Sequence, residues 1–442
     1  MTRGFPRLKE GSIITLNPDN IVAYVPCEQG EGKRKWSTYI SKKLNMEAFR
    51  IIKFFNGKRK VKDIIEEYSK TYNKDLKVEI LKKFIEDAHS NKIIELSQTP
   101  SDTHFEVRGS LDHFFPNHMI IELTYSCNFR CKHCYVEAEP GRKEFIDFDS
   151  LIKWLEEYKN KGGVLVELTG GECILHKDFF KILDYCAKNF LLIAITTNGS
   201  LLTEEKINLL ESYKDKIVIS VSLDSYNESF FNKFRVTKDG YKKVINALKI
   251  LGERKFFYRV SMVVYDENFD DIEPTLLLAK KLGASNFSFS PVFEAGRSKI
   301  LSNINKVAEA FIKMKEKYGD FVFAVSENQI KQYTKNKNCG SGYKSVTLSP
   351  DGELRTCIMF NNLWSLGNLN KKTFNEIFEN GIGNLFYKLE SPSDETCGNC
   401  KYILECGGCI SRGIYYSNKV EKCRWKEKYC DIIDKITIKE RK

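Results

Sequence analysis

Two hydrophobic rhythms alternate through the middle of this chain. Short runs rich in β-branched and aromatic residues, at 119–124, 164–168, 192–196, 217–222, 259–264 and 286–289, have the length and composition of strands. Between them, apolar residues recur three and four apart at 148–161, 179–189, 203–213, 241–253 and 271–282, the spacing of amphipathic helices. Strand–helix units repeated in this order predict an α/β fold over 115–325, a parallel barrel or partial barrel with chemistry at the C-terminal strand ends. A further helix over 307–318 leads out of it.

Residues 1–98 read as a small separate domain. Strands over 12–16 and 21–25 flank the turn Asn17-Pro-Asp-Asn20, and a third strand is expected at 36–40. Helices follow over 46–55, ended by Asn56-Gly57, then 61–72 and 78–89. In the last of these, Leu81, Phe84, Ile85 and Ala88 share one face. A closing strand falls at 93–96. Residues 99–114 are polar and patternless and are expected to be a linker.

Composition narrows this picture only slightly. The 442 residues suit two to four domains, and 42% hydrophobic content excludes a disordered chain. No apolar run approaches the roughly 18 residues of a membrane span, and the start lacks the apolar stretch of a signal peptide. A soluble, cytoplasmic protein without a membrane partner is expected. The net charge of +11 is spread along the chain. It is read as a solvated basic surface facing an acidic peptide, not as a nucleic-acid interface.

The cysteines change the picture. Of fourteen, Cys127, Cys131 and Cys134 sit together and eight more fall between Cys339 and Cys430. Cys27, Cys173 and Cys186 stand apart and are expected to be buried, inert thiols. In a reducing cytosol such clusters indicate metal sites before disulfides. The first group, Cys127-Asn-Phe-Arg-Cys131-Lys-His-Cys134, follows the first barrel strand directly. Three thiolates on a cubane of four irons leave one iron open, whereas structural zinc wants a closed set of four. The C-terminal group runs Cys339, Cys357, Cys397-x2-Cys400-x5-Cys406-x2-Cys409, Cys423 and Cys430. Taken alone, that run also fits a zinc ribbon.

The triplet followed by Tyr135, with Thr169-Gly170-Gly171-Glu172, Thr197-Asn198-Gly199 and Ser220-Val-Ser222-Leu-Asp224 at the next three strand ends, resembles the radical SAM superfamily. The resemblance implies that Cys127, Cys131 and Cys134 hold the catalytic [4Fe-4S] cluster. Tyr135, Gly170, Gly171, Glu172, Thr197, Asn198, Ser222 and Arg235 would bind S-adenosylmethionine (SAM), with Glu172 on its amino group, Ser222 on the ribose or carboxylate and Arg235 on the carboxylate. Cys173 stands where many members have proline. The C-terminal pattern resembles the SPASM domain, here over 326–442, which carries two auxiliary iron–sulfur clusters. That likeness implies Cys397, Cys400, Cys406 and Cys423 on an outer cluster, and Cys339, Cys357 and Cys409 on an inner one. Cys430 is left unassigned. Cys406 and Cys409 are separated by two residues where the family's usual pattern has three.

Asn338 to Ser345, Phe360 to Asn368, and Cys406 to Trp425 are similar to the sactisynthases, and residues 1–98 to the PqqD-like winged helix that recognises leader peptides. Three [4Fe-4S] clusters and SAM are thus the expected cofactors. A cysteine-containing precursor peptide with a leader, and an external electron donor of flavodoxin or ferredoxin type, are the expected partners. The reaction implied is a thioether between a cysteine sulfur and an α-carbon. Open alternatives are a β-carbon thioether, a carbon–carbon cross-link, a formylglycine-type sulfatase maturase, or a zinc-ribbon winged-helix nucleic-acid binder.

Overall fold

The computed structural model describes residues 4–27, 38–292, 294–298, 303–323, 338–359 and 365–437. They form two compact units, Met1–Phe115 with Lys159–Gly162, and Pro116–Tyr158 with Gly163–Lys442. Among the described residues no helix is long and apolar enough to cross a membrane.

In the first unit, β1 (Phe5–Leu8), β2 (Ile13–Asn17), β3 (Asn20–Pro26) and β4 (Tyr39–Leu44) precede α1 (Met46–Ile52), α2 (Val61–Tyr72) and α3 (Val78–Ser90). Strands β5 (Ile94–Ser97) and β6 (Glu106–Gly109) close it. One sheet has the order β4-β3-β2-β6, and β1 pairs separately with β5. Leu8, Ile14, Ala23, Ile52, Phe55, Ile64, Leu81 and Ile94 make a common buried core. The hairpin and all three helices agree with the pattern. The strand expected at 36–40 lies instead at Tyr39–Leu44, and residues 36 and 37 fall outside the described residues.

The expected linker is corrected. Within 99–114, Glu106–Gly109 is a strand pairing in parallel with β2, Val107 opposite Ile14. It left no hydrophobic signature because backbone hydrogen bonds hold it at a sheet edge, with Glu106 and Val107 turned to solvent and only Arg108 buried.

In the second unit β7 (His118–Glu122), β8 (Leu165–Thr169), β9 (Leu192–Thr197), β10 (Ile217–Ser222), β11 (Tyr258–Val264) and β12 (Asn286–Pro291) lie side by side in sequence order, all parallel. Helices α4 (Phe148–Asn160), α5 (Phe179–Asn189), α6 (Glu204–Leu210), α7 (Glu228–Arg235), α8 (Gly240–Glu253) and α9 (Ile272–Lys281) connect them, and α10 (Ile304–Tyr318) follows. This is the partial α/β barrel that the strand–helix alternation predicts. Helix α7 was not foreseen, because eight residues span barely two turns of apolar periodicity.

Burial alternates along the strands. In β11, Tyr258, Val260, Met262 and Val264 are fully buried, while Arg259, Ser261 and Val263 on the other face are partly exposed. The sheet does not stop at β7. Strand β13 (Ser345–Leu348) adds to it in parallel, and β14 (Glu353–Arg355) and β15 (Ser365–Asn368) continue it antiparallel. The C-terminal cysteine region is therefore joined to the barrel through one continuous sheet of nine strands.

Candidate functional site

The loop after β7 carries Cys127, Cys131 and Cys134 onto the wall of an open cavity of about 500 Å³. Tyr135, Gly170, Gly171, Thr197, Asn198, Ser222 and Arg235 border the same cavity, so sequence reasoning assembled most of one site. The loop is gripped from two sides. At the end of β8, Gly171 N–H donates to Thr124 O (2.6 Å) and Glu172 N–H to Ser126 O (3.0 Å). Gly170 has φ +135°, and a Cβ on it or on Gly171 would overlap the carbonyl of Thr124 or Ser126. The paired glycines are thus needed for close approach to the cysteine loop itself. From beyond β12, Arg297 donates its Nε to Cys131 O and its Nη1 to Glu137 O, both at 3.1 Å, and bonds Ala138 O through Nη2. A Cβ on Gly296 would overlap the carbonyls of Cys134 and Tyr135. Sequence reasoning missed this clamp, since a glycine–arginine pair in a polar stretch has no periodicity.

The thiols are few steps from being ligands. Cys127 Sγ accepts from Phe129 N–H (3.4 Å) and Asn198 Nδ2 (3.8 Å), Cys134 Sγ from Ala138 N–H (3.2 Å), and Cys131 Sγ from Arg235 Nη1 (3.9 Å). Burial pushes the Cys127 thiol up to about 12 and the Cys131 thiol up to about 11. Such groups become thiolates when a metal displaces the proton, and these donors then face a real negative charge. Among the described residues no three His, Cys, Asp or Glu side chains meet closely enough for a single metal ion. Three soft donors around a shared cavity fit a larger group, an iron–sulfur cubane.

Glu172 sits behind the cavity wall. Its carboxylate does not border the cavity; it is fully buried and accepts from Thr197 Oγ1 (2.7 Å), Asn198 N–H (2.8 Å) and Ile174 N–H (3.3 Å). Burial pushes its pKa up against those bonds. It ties the end of β8 to the end of β9, and Asn198 carries the tie onward to Asn128 (2.9 Å) and Cys127. Arg235 likewise has a protein partner: its Nε donates to Asp224 Oδ2 at 2.7 Å, with both groups buried. Burial alone would raise Asp224, but the guanidinium outweighs it and holds the carboxyl below its usual value. Ser222, at the end of β10, lines the cavity.

The Tyr135 hydroxyl donates to Glu122 Oε1 at 3.2 Å. The same buried carboxylate accepts from Tyr125 OH (3.0 Å) and pairs with Arg355 of β14. No role was foreseen for Glu122 or Arg355. The available signal was an acid closing an apolar strand, which needs a buried partner somewhere.

The C-terminal cysteines separate into two sets. Cys397, Cys400, Cys406 and Cys423 line one small cavity floored by Trp425. Cys339 and Cys357 lie within electrostatic reach of each other and of Cys409. Burial pushes the thiols of Cys357 and Cys406 up to about 12. Cys430 does not line the cavity of the four; it is exposed at the start of the last helix, 3.8 Å from its neighbour Asp431. Of the three solitary cysteines, Cys173 and Cys186 are buried as expected and Cys27 is only half-buried. Residues 360–364 of the similarity noted above lie outside the described residues.

Comparison with known proteins agrees with this geometry. Residues 121–279 match the radical SAM superfamily, and residues 339–401 match the SPASM iron-sulfur cluster-binding domain. The chain is 30% identical over 411 residues to the antilisterial bacteriocin subtilosin biosynthesis protein AlbA of Bacillus subtilis (strain 168), covering 89% of this chain and 90% of that protein. It is 25% identical over 264 residues to the sporulation killing factor maturation protein SkfB of the same organism, covering 58% and 63%. Its fold is similar to that of Streptococcus suis SuiB bound to S-adenosylmethionine, with a TM-score of 0.64 at 13% identity over 95% of this chain and 98% of that one. The SuiB structure bound to precursor peptide SuiA matches with the same score at 14% identity and the same coverage.

Proposed function

The chain belongs to the radical SAM superfamily and carries its SPASM extension, and from that premise we propose that it is a peptide maturase that joins a cysteine sulfur to an α-carbon of another residue in a ribosomally made precursor. The net change removes a hydrogen atom from the carbon, taken up by the deoxyadenosyl half of cleaved SAM, and a proton and an electron from the thiol, the proton leaving to solvent and the electron returning to the iron–sulfur clusters. The observation that carries the reading is the sorting of the cysteines: an open triplet on the barrel cavity, a set of four around one small cavity, and a set of three within electrostatic reach of one another. Likeness to two Bacillus proteins named for bacteriocin biosynthesis and killing-factor maturation supports a peptide substrate.

On this reading Cys127, Cys131 and Cys134 hold one cluster, Cys397, Cys400, Cys406 and Cys423 a second, and Cys339, Cys357 and Cys409 a third. When bound, the clusters and SAM would supply one-electron radical chemistry, with electrons from an external donor of flavodoxin or ferredoxin type. The chain's own groups orient and tune. Asn198 and Arg235 donate toward Cys127 and Cys131, an arrangement that stabilises ligand charge and raises a cluster's potential. Gly170 and Gly171 offer backbone to the SAM amino group at the cavity wall, and Ser222 faces it from β10. Glu172 acts through Thr197 and Asn198 as a positioning residue. The first unit recognises the leader: among the described residues β4 is the edge strand of its sheet, suited to strand addition, and α3 leaves Val78 and Ile80 exposed.

The test is co-expression with a cysteine-bearing precursor from a neighbouring gene. Mass spectrometry should find a product short of two hydrogens per cross-link, its cysteine resistant to alkylation. A precursor returned unmodified by enzyme that cleaves SAM would overturn the assigned reaction.

A further inference from the structure

The inner face of the barrel is polar at a level where barrels of this kind are ordinarily filled by branched apolar side chains. Arg259 of β11 stands in register with Ser220 of β10 and Asn286 of β12, and it borders the cavity that holds the cysteine triplet. Its Nη2 lies 3.4 Å from Ser220 Oγ, and its Cζ stands 5.4 Å from the centre of the Phe323 ring. Its Nε is buried and has no hydrogen-bond partner among the described residues. Among those residues no carboxylate forms an ion pair with it. Glu167 acts on it only from a distance, being held by Thr196 Oγ1 at 2.7 Å with His118 at 3.6 Å.

Beside this cation runs a ladder of hydroxyls. Ser220 Oγ and Ser261 Oγ are 2.9 Å apart, and Ser261 Oγ and Ser288 Oγ 3.0 Å. Three hydroxyls own three protons and the ladder consumes two, so one remains for an acceptor from outside. With Arg259 donating into the Ser220 end, the ladder is polarised toward Ser288, and its free proton is directed there. A half-buried cation whose Nε is buried without a partner, at one end of a ladder whose spare proton leaves from the other, carries a cost that a negatively charged group in the cavity would relieve.

We propose that Arg259 and the Ser220–Ser261–Ser288 ladder form a carboxylate subsite inside the barrel, which receives an acidic group of the peptide substrate. The group is an Asp or Glu side chain near the modified residue or the peptide's own C-terminal carboxylate. The proposal rests on the reading of the chain as a peptide maturase. A planar guanidinium matches a carboxylate with two parallel donors, which a lysine in its place does not. Because the subsite and the cysteine triplet share one cavity, the acidic group is read where the chemistry occurs. A site built around such donors rejects an analogue that cannot complete them.

The test is calorimetric titration of the anaerobically reconstituted, SAM-bound enzyme with three probes: N-acetyl-Gly-Glu-Gly-amide, its Gln counterpart, and N-acetyl-Gly-Gly-Gly with a free C-terminus. The wild type should bind the Glu probe at least about tenfold more tightly than the Gln probe, the ratio expected for a charge-assisted pair. Arg259→Gln should abolish that ratio. Arg259→Lys should keep part of it, and Ser261→Ala should narrow it, so the result does not depend on one variant folding. Preference for the free C-terminus over the Glu probe identifies the terminal carboxylate as the source. Equal affinity for the Glu and Gln probes in the wild type overturns the proposal. So does a loss of SAM affinity in Arg259→Gln matching the loss of probe affinity, which would give the cation to SAM. Formation of 5′-deoxyadenosine by the reduced wild type without peptide is scored separately: its absence sinks the radical reading, whatever the probes do.

Discussion

Glu122 and Arg355 are separated by 233 residues and form a buried pair that also collects the hydroxyls of Tyr125 and Tyr135. Removing one member leaves a charge without its partner, whereas removing both leaves little to repay. Arg355→Met should therefore destabilise the protein by about 3 kcal/mol at neutral pH, and adding Glu122→Gln should recover most of it. Urea denaturation checks both. Burial already raises the Glu122 pKa, with Arg355 opposing it, so the single variant raises it further. An acid whose folded pKa lies above its unfolded value loses stability as pH rises, because the folded state then holds the proton more tightly. The deficit of Arg355→Met should accordingly shrink between about pH 8 and pH 5.5. A deficit that grows on acidification would show that the pair is not what holds this network.

At the scale of elements, the cysteine loop depends on the strand end beside it. A methyl at Gly171 would collide with the Ser126 carbonyl, and the loop must shift to relieve it. Gly171→Ala should therefore lose one cluster without touching a ligand, iron falling from about twelve to about eight per chain. The triple change of Cys127, Cys131 and Cys134 to Ala should give the same iron count and abolish SAM cleavage. The C-terminal sets make a contrasting case: Cys430 is exposed and does not line the cavity of the set of four. Cys430→Ala should keep full iron content and cross-linking. Loss of a cluster in that variant would mean that the set of three closes through Cys430.

Over the whole molecule, the first unit extends to Phe115, because β6 belongs to the sheet built on β2. A chain starting at Pro116 should still form 5′-deoxyadenosine from SAM, yet modify full-length precursor at least about tenfold more slowly, since leader capture raises the local concentration of the core peptide. Normal modification by this truncated enzyme would refute the leader-binding role. A cut at residue 99 is the poorer experiment, as it strands β6 without β2.

What the sequence by itself determined was whatever repeats or clusters within short range. The six barrel strands with most of their helices and the grouping of the cysteine triplet were legible, because periodicity and ligand spacing are local properties, whereas Gly170-Gly171 stood out only through the family resemblance. What only the tertiary structure decided depends on partners far apart in the chain. It joined β13 to β7, turned the Glu172 carboxylate toward Thr197 and Asn198, gave Arg235 to Asp224, and brought Gly296 and Arg297 onto the cysteine loop. Strands of three or four residues have too few repeats to announce themselves, and a polar side chain declares its residue type but not its partner. Which charge meets which is settled only when distant strand ends converge, since burial then makes every unpaired polar group costly.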